Sequence, residues 1–244
     1  MNVAFASVLT KHHKENVKQI YSMMFEVMLH SFVKHHKDFF PHWYVFSDGS
    51  IDEETQERLK SIYGHLIFVT VNMEKYVHYG KTNAKFFIFE AFGLIKYDKV
   101  LCLDSDLLFN GNIENLLKIN CEFGAHKEIH RTSFNSGVLL LGKKILSGGM
   151  TDILLKTDLQ TAKKMYFGND QAILNYYFQE RFFEIGYQYN CFADDVKIYG
   201  GADGINIIHY YTKPFSQSFH DRITPEVKEL WLNLYKEKVE KYYA

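Results

Sequence analysis

Four short apolar runs separated by longer helical or turn-forming stretches are the strongest constraint on how this chain can fold. Asn2–Leu9, His42–Phe46, Leu66–Val71 and Val100–Leu103 are nearly continuous in apolar, β-favouring residues and do not alternate with polar ones. Strands of that kind are buried on both faces, which a sheet achieves only with helices above and below it. Between the runs, Lys11–His36 carries Val17, Ile20, Met24 and Val27 at spacings of three and four, which predicts a helix. Asp52 can cap a second helix that ends near Tyr63, and Thr82 a third that ends near Lys96. The order βαβαβαβ argues for an α/β fold with a mostly parallel sheet flanked by helices. Further strands are predicted at Glu122–Ala125, Val138–Leu141, Phe182–Ile185 and Ile205–Tyr210, and helices at Lys144–Lys156, Asp170–Gln179 and Pro225–Tyr243. The last mixes Val227, Leu230, Leu234 and Val239 with many charges and reads as a peripheral amphipathic helix. With no repeat and no linker, the expectation is one domain: a body over residues 1–223 and a C-terminal helix, 224–244, packed on it.

Composition narrows the function classes. With 244 residues the chain suits a single α/β domain. The 28 Lys and Arg against 29 Asp and Glu leave a net charge of −1, without the basic surplus that nucleic-acid binding requires. No run approaches the length of a membrane span, and the apolar start MNVAFASVL lacks the basic leader of a signal peptide. The three cysteines, Cys102, Cys121 and Cys191, form no CxxC pair and suit a reducing, cytoplasmic compartment. Aromatic residues, at 16%, are read first as core filling.

The sharpest chemical feature is Leu101-Cys102-Leu103-Asp104-Ser105-Asp106, an apolar strand running into two carboxylates. In extended chain, residues two apart point the same way, so Asp104 and Asp106 would converge at the carboxyl end of a central strand, where α/β sheets bind ligands. Paired carboxylates repel unless a cation lies between them, and hard oxygen ligands suit Mg²⁺ or Mn²⁺. The plainer reading makes one Asp a helix cap. His209 closes the apolar run Asn206–Tyr210; it is either a core histidine or a ligand to the same cation, and an imidazole would favour Mn²⁺. Lys213 follows, where a cation could meet a phosphate. Gly168–Asn175 places Asp170 and Gln171 at a helix start, as a cap or facing the cleft. Phe134-Asn135-Ser136-Gly137 opens another apolar run with small polar residues able to bond sugar hydroxyls.

Taken in order, SVLT, TNAKFF, DSD, FNSGV, NDQAILN and IIHYYTKPF resemble glycosyltransferase family 8 from residue 3 to about residue 215. The resemblance implies a Rossmann-like, mixed-sheet GT-A fold, a UDP-sugar donor such as UDP-glucose, Mn²⁺ (or Mg²⁺), and retention of anomeric configuration. It implies metal ligands at Asp104, Asp106 and His209. Donor contacts fall at Ser7, Val8, Leu9, Thr10, Lys85, Asp104, Ser105, Asn135, Ser136 and Lys213, and Asp170 and Gln171 stand beside the anomeric carbon. The acceptor would be a hydroxyl on a glycan or glycoprotein. In size the chain is also similar to a viral glycosyltransferase domain that decorates capsid glycans, which would place it in a host cytoplasm. Two departures stand out. The segment His209–Phe215 is two residues shorter than the family's His-(Phe/Tyr)-x-Gly-x-x-Lys-Pro-Trp and lacks its Gly and Trp. Phe167 stands where glycogenin carries a further Asp before the Asp-Gln pair. Two other readings were weighed. A sugar-phosphate nucleotidyltransferase would need a Gly-rich basic loop after the first strand, where Leu9–Lys14 has no Gly. A non-catalytic sugar-binding module would have little reason to keep an uncompensated carboxylate pair.

Overall fold

The computed structural model describes residues 1–11, 20–129, 131–211 and 221–243, with only the backbone for 81–83. Its strands are β1 (Val3–Val8), β2 (His42–Ser47), β3 (Leu66–Thr70), β4 (Lys99–Leu103), β5 (Leu107–Phe109), β6 (Phe123–Lys127), β7 (Phe134–Gly142), β8 (Phe183–Glu184), β9 (Cys191–Phe192) and β10 (Ile207–His209). The helices are α1 (Ile20–His35), α2 (Glu53–Ile62), α3 (Glu114–Lys118), α4 (Met150–Leu155), α5 (Leu159–Met165), α6 (Asp170–Phe178) and α7 (Pro225–Lys238), with a long 3-10 segment over Met73–Gly93. A seven-stranded sheet runs β3-β2-β1-β4-β7-β6-β8, and a small sheet runs β5-β10-β9. In the main sheet β3, β2, β1 and β4 are mutually parallel, and β7 is antiparallel to both β4 and β6. The expected mixed, mostly parallel α/β sheet within one domain is what the chain builds.

The continuous apolar runs follow from burial on both faces. Along β1, β2 and β4, Ala4, Ala6, Tyr44, Phe46, Val100 and Cys102 face one core, under the 3-10 segment, α4 and α6. Their neighbours Val3, Phe5, Trp43, Val45, Leu101 and Leu103 face the other, under α1, α2 and α3. This period-two division locks the register of β4, because a slip by one residue would exchange the two cores. A third core lies between the small sheet and α7, where Met23, Met24 and Val27 of α1 meet Leu108, Ile208 and Trp231. Glu26, buried in α1, accepts from Arg58 of α2 at 3.2 Å and from the Tyr243 hydroxyl at 2.9 Å, tying the C-terminal segment to this layer.

Several boundaries differ from the sequence expectation. Asp52 does cap α2, its Oδ1 accepting from Thr55 N–H at 2.8 Å. The helix expected from Thr82 to near Lys96 is instead a 3-10 segment that ends at Gly93 and starts earlier, where Asn72 Oδ1 accepts from Glu74 N–H at 3.0 Å, and it kinks at Gly80 with φ 61°. The Thr82 side chain lies outside the described residues, as do residues 12–19 of the first expected helix. The helix expected over Lys144–Lys156 forms only from Met150, after Gly148 and Gly149, whose backbone freedom opposes helix. Among the described residues no helix is long and apolar enough to cross a membrane.

Trp231 is 1% exposed in the third core. Trp231→Ala is expected to cost about 3–5 kcal/mol, read as a lower midpoint in thermal or urea unfolding; an unchanged midpoint would mean that α7 contributes nothing to the fold.

Candidate active site

The apolar end of β4 delivers Asp104 to the carboxyl edge of the sheet, where the chain turns into the second sheet. Residues 105 and 106 form a turn, so the two carboxylates converge through a reversal of the chain and not through the pleat of an extended strand. The Asp104 N–H donates to the Gly137 carbonyl at 2.9 Å, and the Tyr210 N–H donates to the Asp106 carbonyl at 2.8 Å. Antiparallel pairing of β5 with β10 sets His209 opposite Leu107. His209 Nε2 therefore lies 3.2 Å from Asp106 Oδ1 and 3.7 Å from Asp104 Oδ2. One ligand atom from each of the three falls within 4.8 Å of the others.

The electrostatics of this cluster test what it could hold. His209 is 3% exposed, while 48% of the Asp104 side chain reaches solvent. Burial opposes charging of His209, but the carboxylates of Asp106 and Asp104 outweigh it and raise its pKa. Partial desolvation by the surrounding protein and the neighbouring Asp106 charge raise that of Asp104, although part of its side chain reaches solvent, against the pull of His209 and Lys85. Asp106 Oδ1 is buried and makes no well-formed hydrogen bond, its contact being the His209 Nε2 at 3.2 Å that it shares with Asp104. A buried carboxylate oxygen left open toward an imidazole and a second carboxylate needs compensation that the chain alone does not complete. Two carboxylates and one imidazole form a donor set that fits a divalent cation of the Mn²⁺ or Mg²⁺ kind.

Beside this cluster, β7 brings the FNSG residues to the same edge as the first turn of α6. The Ser136 hydroxyl donates to Asp170 Oδ2 at 3.2 Å. Gln171 Oε1 accepts from Asn135 Nδ2 and from Ser136 N–H, both at 3.1 Å, and its Nε2 donates to Glu128 Oε1 at 2.9 Å. Gln171 thus has both amide atoms committed within the protein, whereas Asp170 is half-buried with Ser136 as a side-chain partner. Burial raises the pKa of Asp170, with Lys85 and Ser136 opposing. The cap of α6 is Asn169, but its side chain makes no capping bond and instead accepts from Lys163 at 2.9 Å. Gly137 is required for a spatial reason: a Cβ there would lie 2.3 Å from His209 Cε1.

The remaining expected donor residues are placed unevenly. Ser7 is fully buried and its hydroxyl accepts from Trp43 Nε1 at 3.0 Å, and Leu9 is 1% exposed in the core. Neither offers a side chain to the cleft; Val8 and Thr10 stand partly exposed at the end of β1. Ser105 is half-buried between the two carboxylates, and Lys85 is exposed within electrostatic reach of Asp104 and Asp170. Lys213 lies outside the described residues. A cavity of about 430 Å³ is lined by Lys85 and by residues 163–169, which lead into α6. Phe167 of this lining is 70% exposed, with the Arg131 guanidinium 4.5 Å above its ring. Sequence reasoning missed Glu128, Asn190 and Tyr21. Asn190, a lone amide between Tyr189 and Cys191, carried a faint signal, and Glu128, beside Lys127, carried none. Burial raises the pKa of the Tyr21 phenol, and the charges of Asp106 and Asp104 add to the shift, which puts the phenol near the cluster.

This sheet order, with acidic residues and an imidazole gathered at its carboxyl edge, is that of the GT-A fold. The profile of Glycosyl transferase family 8 matches residues 16–217, and the chain belongs to that family. It is similar to the glycosyltransferase GlyD of Streptococcus pneumoniae, with 32% identity over 171 residues that cover 62% of this chain and 20% of GlyD. Similarity to GlyF of the same organism is 25% over 214 residues, covering 80% of this chain and 51% of GlyF. The chain thus spans about half or less of these relatives. Among solved structures, the galactosyltransferase LgtC, in complex with donor and acceptor sugar analogs, superposes with a TM-score of 0.75 at 17% identity, over 97% of this chain and 96% of LgtC. Family membership removes the nucleotidyltransferase alternative.

Two outcomes check this geometry. Gly137→Ala is expected to push the His209 ring aside and weaken Mn²⁺ binding about tenfold or more, measured by calorimetry. A cation held here would compete with protons for His209 and Asp104, whose pKa values are both raised. Affinity for Mn²⁺ should therefore climb as pH rises through neutrality, about tenfold per unit for each proton displaced; a flat profile would contradict the ligand set.

Proposed function

We propose that the chain transfers a hexose from a UDP-sugar, such as UDP-glucose, to a hydroxyl of a glycan or glycoprotein, with retention, using Mn²⁺ held by Asp104, Asp106 and His209. The observation that carries this reading is the convergence of those three ligand atoms within 4.8 Å at the carboxyl edge of the sheet, with one buried carboxylate oxygen left without a well-formed hydrogen bond. When bound, the cation supplies Lewis-acid compensation for charge on the departing diphosphate. Lys85 adds positive charge on the same side. Val8, Thr10 and the backbone at the end of β1 receive the nucleoside. Asn135 and Ser136 orient the sugar, and Asp170 sets a negative charge against the positive charge that develops at C1. Gln171, with both amide atoms engaged, holds Asn135 and Ser136 in place and is not itself a reacting group. The cavity lined by Lys85 and residues 163–169, with Arg131 stacked on its Phe167, gives an acceptor hydroxyl a route to C1. The three free thiols fit a cytoplasmic location.

UDP release from a panel of UDP-sugars, with and without Mn²⁺, tests this reading; release that is absent for every donor, or indifferent to chelator, would refute it. Within it, Asp170→Asn keeps the shape of the side chain and removes its charge. That variant should melt near wild type, still bind UDP with Mn²⁺, and turn over about a hundredfold more slowly. Near-normal turnover would take Asp170 out of the chemistry.

A further inference from the structure

A line of buried amides runs from Glu128 to the back of the His209 ring. His209 Nδ1 lies 3.0 Å from Asn190 Oδ1. Asn190 Nδ2 donates to Asn135 Oδ1 at 2.9 Å, Asn135 Nδ2 to Gln171 Oε1 at 3.1 Å, and Gln171 Nε2 to Glu128 Oε1 at 2.9 Å. The line ends at the Glu128 carboxylate, whose other oxygen is 3.1 Å from Arg131 Nε. Asn190 is 1% exposed, Gln171 8%, Asn135 and Glu128 9% each.

Each amide in the line has only one orientation that satisfies its neighbours. Glu128, ionised beside Arg131, can only accept, so Gln171 must turn its NH₂ toward it. The Ser136 N–H also donates to Gln171 Oε1, and the Gly137 N–H donates to Asn135 Oδ1 at 2.8 Å. Main-chain donors cannot reverse, so both amides are held independently of the side chains beyond them. Asn135 then presents an oxygen to Asn190, Asn190 must give it the NH₂, and what Asn190 has left for His209 is its carbonyl oxygen. Flipping any one amide would set two acceptors or two donors face to face in a buried site, which costs more than the bond itself contributes.

We propose that Asn190 is a positioning residue: its Oδ1 accepts from Nδ1–H of the His209 ring and holds the ring with Nε2 directed at Asp104 and Asp106, where a cation would sit. The direction of the hydrogen bonds is imposed by Glu128 and by the Ser136 and Gly137 N–H groups. With a cation on Nε2 the ring keeps one proton, on Nδ1, and the amide line meets it with an oxygen. The inference rests on the reading of His209 as a metal ligand.

The test is a set of Mn²⁺ titrations followed by electron paramagnetic resonance, with a thermal melt of each variant. Wild type should bind Mn²⁺. Asn190→Leu removes the acceptor behind the ring and should bind it about tenfold to a hundredfold more weakly. Asn190→Ser keeps a hydroxyl able to accept from Nδ1–H and to donate to Asn135, and should lose less, which keeps the test decisive if the Leu variant does not fold. Wild-type affinity in a folded Asn190→Leu, or in its absence a loss as large as about a hundredfold in a folded Asn190→Ser, overturns the proposal. A wild-type protein without Mn²⁺ affinity would refute the metal reading and the proposal with it.

Discussion

Repulsion between the two carboxylates of the Asp104–Asp106 turn is the interaction around which the site is organised. A tight turn holds both at the edge of the sheet, and the nearest positive group comes from far along the chain, on β10. The imidazole of His209 sits behind them almost fully buried, and the carboxylates raise its pKa against its burial. The rest of the local structure serves that contact. Pairing of β5 with β10 sets the height of the ring, and the Tyr210 and Asp104 N–H groups pin the turn to β10 and β7. Gly137 leaves the space that the ring occupies. The attraction is incomplete without an ion, because the buried Asp106 Oδ1 makes no well-formed hydrogen bond and shares one imidazole nitrogen with Asp104.

The two-faced core makes that arrangement stiff. β4 lies between β1 and β7 with alternate side chains committed to opposite cores, so its carboxyl end cannot slide. The antiparallel strand β7 runs toward the opposite edge, so its first residues, Asn135 and Ser136, arrive beside the end of β4. The Asn175 side chain bonds both the N–H and the carbonyl of Phe134, each at 2.9 Å, and so couples α6 to the start of β7. Asp170 thereby inherits its position from the sheet. Lys85, exposed on the 3-10 segment, is the one proposed contributor outside this rigid frame.

Sequence and structure agree where the signal was burial on two faces. The parallel core strands, the Asp52 cap and the edge position of Asp104 and Asp106 were legible because period and residue type decide them. The joining of His209 to the carboxylates depends on β5 and on strand pairing across long separation, and a three-residue strand such as Leu107–Phe109 carries no period to read. The turn at Ser105 and Asp106 escaped the same logic, since two residues cannot distinguish a pleat from a reversal. The Ser7 hydroxyl, at the end of the strand expected to meet the donor, accepts from Trp43, a partner that no local pattern announces. Glu128 and Asn190 matter only through hydrogen bonds to residues distant in the chain. Their roles are invisible until the amides are seen in line.

The central claim is that Asp104, Asp106 and His209 Nε2 form one divalent-cation site. Crystals grown with Mn²⁺ and UDP, with diffraction recorded on both sides of the manganese absorption edge, test it most directly. The account predicts one strong anomalous peak within coordination distance of both carboxylates and of Nε2, with Nδ1 still facing Asn190. A peak elsewhere, or UDP bound in the cleft with no peak at this position, would contradict it.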